Sequence, residues 1–324
     1  MLPLSILDLA PVSENSTPAI ALQNARDLAQ HAERLGYTRY WVAEHHNMVG
    51  IASAATAVVI GYIAAHTKTI RVGAGGIMLP NHSPNVIAEQ FGTLESLYPG
   101  RIDLDLGRAP GTDRQTMQAL RVNPQASEHF PQDVLELQAL LGPLQPGQTI
   151  QAVPGTNTNV PLWILGSSLF GAQLAAMLGL PFAFASHFAP DHLMQAIEIY
   201  RSTFKPSVQL QKPHAMVGVN IIAADTDEEA QHLFISLQMR FADMLRGARG
   251  YMLPPIEDIE DYWSGPEKIQ AQRMLACSFV GSPKSLRIQL KDFMVETGAD
   301  ELMVATAVYD HGARLRSYEL LTGV

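Results

Sequence analysis

The strongest constraint on the fold is a rhythm: short apolar runs of strand character return along the whole chain, with amphipathic helical stretches between them. Strand-like runs read at 4–9, 40–43, 70–74, 102–106, 162–165, 182–185, 216–223 and 301–305, each bounded by Gly, Pro or polar residues. Helical patterns fill 17–35, 53–66, 84–98, 127–141, 168–178, 190–204, 226–246 and 282–297, with a short one near 313–321. Thr17-Pro18, Ser83-Pro84 and Ser282-Pro283 read as an N-cap followed by proline at the first helical position, and Gly36, Gly179 and Gly298 stand where helices stop. Eight such alternations over 324 residues predict an α/β chain folded as a (β/α)₈ TIM barrel with insertions. A doubly wound sheet would more naturally stop at five to seven strands. One barrel domain is therefore expected over 1–324.

Two stretches break the rhythm. Residues 142–160, with Pro143, Pro146, Gly147, Pro154 and Gly155, read as a loop-rich connector. Residues 247–271 carry Gly250, Pro254, Pro255, four acids between Glu257 and Asp261, and Trp263. That stretch reads as a structureless insertion, extending to about 278, which is either a lid over the barrel mouth or a solvated acidic excursion.

Charge narrows the function classes. Only 16% of residues are charged and the net charge is −9, which leaves no basic surface for a nucleic-acid backbone. No run approaches the roughly 20 apolar residues of a membrane helix, and the start of the chain lacks the basic segment of a signal peptide. The single Cys277 excludes an intrachain disulfide and reads as a buried, helical thiol. A reducing cytoplasm is the expected location.

In a parallel barrel, chemistry collects at the carboxyl ends of the strands. The second strand leaves through Ala43-Glu-His-His46, and His45 and His46 face opposite ways if the strand persists, so only one enters the barrel. A metal site from Asp8, His45 or His46, Asp103 and Asp105 is conceivable by donor type, but a barrel strand would hold two ligands at i, i+2 rather than adjacent, so no metal is expected. The third exit, Val72-Gly-Ala-Gly-Gly-Ile-Met-Leu-Pro80, has three glycines in four positions, which either let a flat ligand approach the backbone closely or permit an otherwise costly peptide geometry. It lacks the third glycine and the following helix of a dinucleotide fingerprint. The fourth strand places Asp103 and Asp105 on one face and ends in Gly107-Arg108, whose guanidinium either binds an anion or pairs with one of those acids. The fifth runs through Gly166-Ser167-Ser168 into a helix, which is either an anion seat or a plain N-cap. His187, after the sixth, is a further polar candidate on the same rim.

Ala43–His46, Val72–Pro80 followed by His82-Ser-Pro-Asn-Val-Ile-Ala-Glu-Gln90, Gly100–Arg108, Gly166–Ser168 and Tyr309-Asp-His-Gly-Ala-Arg-Leu-Arg-Ser317 together resemble the bacterial luciferase-like superfamily of flavin-dependent monooxygenases over essentially the whole chain. The resemblance implies reduced FMN at the strand ends, supplied by a separate flavin reductase. It further implies oxygen activation through a flavin C4a-hydroperoxide, a small organic substrate and a homodimer. By motif, His45 is the implied active-site histidine, and Gly75-Gly76 the dipeptide beneath the flavin ring, often joined by a non-prolyl cis bond. Arg108 with Gly166, Ser167 and Ser168 is the implied phosphate clamp. The family's cysteine beside the flavin is replaced by Gly107, so light emission is not implied. Deazaflavin-dependent hydride transfer and flavin binding without turnover remain the competing readings.

Overall fold

A computed structural model describes residues 2–324. Nine strands form one parallel sheet: β1 (Leu4–Asp8), β2 (Arg39–Val42), β3 (Arg71–Met78), β4 (Ile102–Gly107), β5 (Leu162–Gly166), β6 (Phe182–Phe184), β7 (Ala215–Ala223), β8 (Ser278–Gly281) and β9 (Glu301–Ala305). Pairing runs from β1 through β7 in chain order, then from β7 to β9 and back to β1, which closes an eight-stranded barrel. All eight expected strands are in that ring.

Helices α1 (Pro18–Leu35), α2 (Thr56–Ala65), α3 (Pro84–Leu97), α4 (Arg114–Ala119), α5 (Phe130–Leu141) and α6 (Leu169–Leu178) belong to the first half. They are followed by α7 (Leu193–Thr203), α8 (Asp227–Leu245), α9 (Gly265–Met274), α10 (Pro283–Thr297) and α11 (His311–Leu321). Thr17 caps α1 through a hydrogen bond from the Ile20 amide, whereas Ser83 and Ser282 hold the N-cap position without a side-chain cap bond. Gly36, Gly179 and Gly298 close α1, α6 and α10 with positive φ.

Period-two alternation decides the packing. Ile6, Tyr40, Val72, Leu104, Ile164 and Phe182 face outward into the main core beneath the helices, while Leu7, Trp41, Trp163, Met216 and Met303 fill the barrel. The acidic face of β4 is the inward one, and both Asp103 and Asp105 are fully buried. At the amino ends of the strands Arg39 bridges Asp103 (2.8 Å) and Glu301 (2.9 Å), Arg71 reaches Asp103 (2.5 Å) and His214 reaches Glu301 (3.1 Å). The Ser5 hydroxyl donates to Glu301, and Trp41 and Trp163 meet edge to face at 5.2 Å just above. This layer stops the barrel from being a pore.

The reading of 247–271 as structureless is corrected. It contains a 3₁₀ turn at Ile259–Asp261 and the start of α9, and the chain then forms β8. α9 opens with a capping box between Ser264 and Glu267. Trp263 packs with Phe234, Phe241 and Leu275 in a second apolar cluster against α8. β8 pairs with the upper half of β7, at Asn220–Ala223, where the three-residue β6 has already ended. Cys277 is buried as expected but sits in the turn before β8, not in a helix.

Candidate active site

At the carboxyl ends of the strands the barrel opens into a cavity of about 610 Å³, a size that suits a small-molecule site. His45, Gly75, Arg108, Gly166, Ser167 and Ser168 all line it. Gly76 is not among the lining residues. A Cβ there would stand 2.7 Å from the Asp105 carbonyl oxygen, so glycine at this position answers the close approach of the β4 backbone. The Gly75–Gly76 peptide is cis, and the β3–β4 register shifts between Gly75 and Ile77.

The Glu-His-His run divides its labour. His45 turns into the cavity, and His46 turns back to Glu44, which accepts from His46 Nε2 (2.8 Å), His82 Nε2 (2.9 Å), Asn81 Nδ2 (3.0 Å) and the Met78 amide (2.9 Å). Burial pushes the Glu44 carboxyl up, but the hydrogen bonds with His82, Asn81 and His46 outweigh it and hold the group below the usual carboxylate range. Glu44 is thus a hub that ties the exit of β2 to the segment after β3. His45 is held below the ordinary histidine value first by burial and further by the positive charge of Arg240, and its Nδ1 has no partner. His187 also lines the cavity with an unpartnered Nδ1, and burial, assisted by His45, pulls it down to about 4. Both imidazoles are neutral at pH 7, able to donate from one nitrogen and accept at the other.

Arg108 does not pair with either acid of its strand: its guanidinium lies 4.1 Å over the Phe170 ring, while Arg39 and Arg71 hold Asp103. Gly107 pairs with Leu165, so Arg108 stands beside the Gly166–Ser168 turn. Ser168 occupies the N-cap of α6 with no side-chain cap bond. A guanidinium stacked on the first turn of a helix, next to uncapped amides and two hydroxyls, makes an anion seat.

Asp105 lies on the cavity floor with neither carboxyl oxygen partnered; burial, and then the charge of Asp103, raise it far above the usual range. The alternative metal set does not assemble. Asp8 is taken by Arg314 (2.8 Å), the Ala10 amide (2.8 Å) and the Tyr40 hydroxyl, and among the described residues no three candidate ligands cluster.

The cavity is roofed by the stretch after α8. Met252 exchanges backbone hydrogen bonds with Val12 (2.9 Å) and Glu14 (2.8 Å), and Arg249 pairs with Asp113 (2.5 Å) across the mouth. Gly50 and Gly250 touch there: a Cβ on Gly50 would stand 2.2 Å from the Gly250 carbonyl oxygen.

A profile of the luciferase-like monooxygenases matches residues 2–301. The chain belongs to the luciferase-like monooxygenase family. This family member is 54% identical over 321 residues to a luciferase-like monooxygenase of Escherichia coli K12, covering 99% of this chain and 96% of that one. It is 36% identical over 249 residues to the N-acetyl-S-alkylcysteine monooxygenase of Bacillus subtilis, covering 73% and 72%. The crystal structure of apo-MsnO8 superposes with a TM-score of 0.92 at 36% identity, covering 99% and 98%. More distant structures share the fold. One is the oxygenating constituent of 3,6-diketocamphane monooxygenase in complex with FMN, with a TM-score of 0.70, 17% identity and coverage of 99% and 96%. Another is an F420-dependent secondary alcohol dehydrogenase in complex with an F420-acetone adduct, with a TM-score of 0.70, 16% identity and coverage of 100% and 99%. As a luciferase-like monooxygenase the chain is an oxidoreductase that incorporates molecular oxygen, and among the described residues no helix is long and apolar enough to cross a membrane.

Two cavity groups lay outside the sequence reading: Arg240, on α8, and the unpartnered state of Asp105. Arg240 did leave a trace, since it interrupts the helical stripe Leu233, Leu237, Met244 with a charge.

Proposed function

We propose that this protein binds reduced FMN in the barrel mouth and uses oxygen to hydroxylate or otherwise oxygenate a small organic substrate, the flavin being delivered by a separate reductase. The observation that carries the proposal is the anion seat of Arg108, Ser167 and Ser168 on the rim of a largely apolar cavity, with His45 inside it. The FMN complex named for one structural neighbour supports this choice of cofactor.

In this reading Arg108, Ser167, Ser168 and the Gly166 backbone would hold the phosphate, Gly75 would offer its bare backbone to the ring, and Gly76, which does not line the cavity, would serve only the fit of β3 against β4. When bound, the reduced flavin supplies the electrons that activate oxygen. His45, neutral and with an unpartnered Nδ1 in the cavity, would offer a hydrogen bond to the bound flavin or oxygen without adding charge. The 247–278 insertion serves as the lid, and its backbone pairing with 12–14 excludes water from the closed mouth. The protein is further proposed to be a cytoplasmic homodimer; sedimentation velocity that reads one chain's mass at working concentration removes the dimer.

The test mixes the protein anaerobically with reduced FMN, adds oxygen, and follows the flavin spectrum. A transient species that outlasts the reoxidation of free flavin is the expected result. Immediate oxidation with no flavin retained rejects the proposal, and retention of F420 instead moves the chain to hydride transfer. In the same assay Arg108→Ala weakens FMN by roughly tenfold or more, the scale of a lost charge-assisted hydrogen bond, and leaves riboflavin nearly unchanged. Equal weakening of both removes Arg108 from the phosphate.

A further inference from the structure

Four arginines line the cavity: Arg108 belongs to the phosphate seat, Arg249 and Arg314 pair with Asp113 and Asp8, and Arg240 is left over. Arg240 sits near the end of α8 on the stripe Leu233, Leu237, Arg240, Met244, which turns toward the barrel mouth, and it lines the cavity together with Leu237 and Met244. Among the described residues its guanidinium has neither an ion pair nor a hydrogen bond, and burial alone acts on it. Every acid that faces this region is committed elsewhere. Asp243, one turn on, accepts from the Tyr262 hydroxyl (2.8 Å) and faces Arg246 (3.5 Å). Asp113 pairs with Arg249 (2.5 Å), Glu44 serves the His46–Asn81–His82 cluster, and burial holds the Asp105 carboxyl on the floor well above the usual carboxylate range.

Arg240 is half-buried and its guanidinium faces the cavity with no counter-ion, so an anion bound there would gain a charge-assisted partner that no protein group supplies. Arg240 shares its space with His45, whose imidazole feels its charge, whereas Arg108 stands on the rim of β4 and β5. The barrel mouth therefore carries two cationic sites: one on a helix N-terminus, suited to a phosphate, and one on α8 above the histidine. The planar fork of Arg240 matches a carboxylate, and the apolar lining of the same cavity, Met48, Met239, Met244 and Leu253 among it, matches an apolar body attached to it.

We propose that Arg240 is the specificity-determining residue that receives a carboxylate of the substrate, so that the substrates are small apolar organic acids. The proposal rests on the flavin reading only for the reaction; the binding stands without it. The experiment titrates the flavin-free protein calorimetrically with octanoate and with 1-octanol, and separately with FMN and riboflavin. The expected result is octanoate binding at least tenfold tighter than octanol. Arg240→Gln abolishes that preference while changing octanol and FMN affinity less than twofold, and Arg240→Lys recovers part of it. Equal binding of octanoate and octanol by the unmodified protein, or binding of neither, overturns the proposal without any variant. It is also overturned if Arg240→Gln weakens FMN but not riboflavin, which assigns the guanidinium to the cofactor phosphate. Octanoate bound and FMN not bound leaves Arg240 in its role and rejects the flavin reading alone.

Discussion

At the scale of single residues, the most informative is an acid that cannot be one. Asp105 is fully buried on the cavity floor with no partner for either oxygen, and its carboxyl stays protonated far above its usual range. In the unfolded chain the same group ionises above about 4. The folded state therefore holds one more proton over the interval above that value, and Asp105 costs stability increasingly as the pH rises through it. Asp105→Asn, isosteric with the neutral acid, raises the melting temperature, and by more at pH 8 than at pH 5. A gain independent of pH, or a loss, shows the carboxyl to be ionised and paired. The sequence announced the alternation that points Asp105 inward, yet its protonation state depends on what fails to meet it in three dimensions. Asp103, two residues earlier on the same face, meets Arg39 and Arg71 instead. His45, Arg108, Ser167 and Ser168 were legible because strand exits followed by glycine or a helix start are local signals. Arg240 lies inside α8, away from any strand exit or helix start, where only a break in an apolar stripe marks it.

At the scale of elements, the insertion after α8 was located but not resolved into parts by the sequence. α9 buries only Ala271 among its ten residues, so it shows little helical periodicity, and the four-residue β8 is no more than partly covered at three of its positions. What reads as loop is held by tertiary packing of Trp263 on α8 and by backbone pairing of Met252 with the segment after β1. The Arg249–Asp113 pair is one-third exposed on both sides, so solvent screening leaves it little weight in global stability. It acts on the roof instead: Arg249→Ala leaves the melting temperature almost unchanged and speeds proteolytic cleavage within 247–256. Gly50→Ala does the same more strongly, because its Cβ displaces the Gly250 carbonyl. Cleavage no faster than in the unmodified protein means that the roof is held by other contacts.

For the whole molecule, the barrel separates its tasks by end: the charged layer of Arg39, Arg71, Asp103, His214 and Glu301 seals the amino end, and the cavity occupies the other. The ring order of eight strands followed from their number and alternation, but the contact that locks the ring did not. Arg314 of α11 is buried against Asp8 of β1 at 2.8 Å and also donates to the Thr306 carbonyl. Removing one member of such a buried pair costs about 3–5 kcal/mol. Urea unfolding of Arg314→Met at pH 7 is expected to show a loss of that size, and Arg314→Met combined with Asp8→Asn to recover part of it. A loss below 1 kcal/mol shows that water reaches Asp8.

Asp8 and Arg314 stand 306 residues apart in sequence. The pair clasps the first strand of the ring to the helix that follows its last strand, so it can form only once β1 and β9 have met. Any cut of the chain between β9 and Arg314 leaves Asp8 in the barrel wall without its counter-ion, so the ring and its charge balance are lost together.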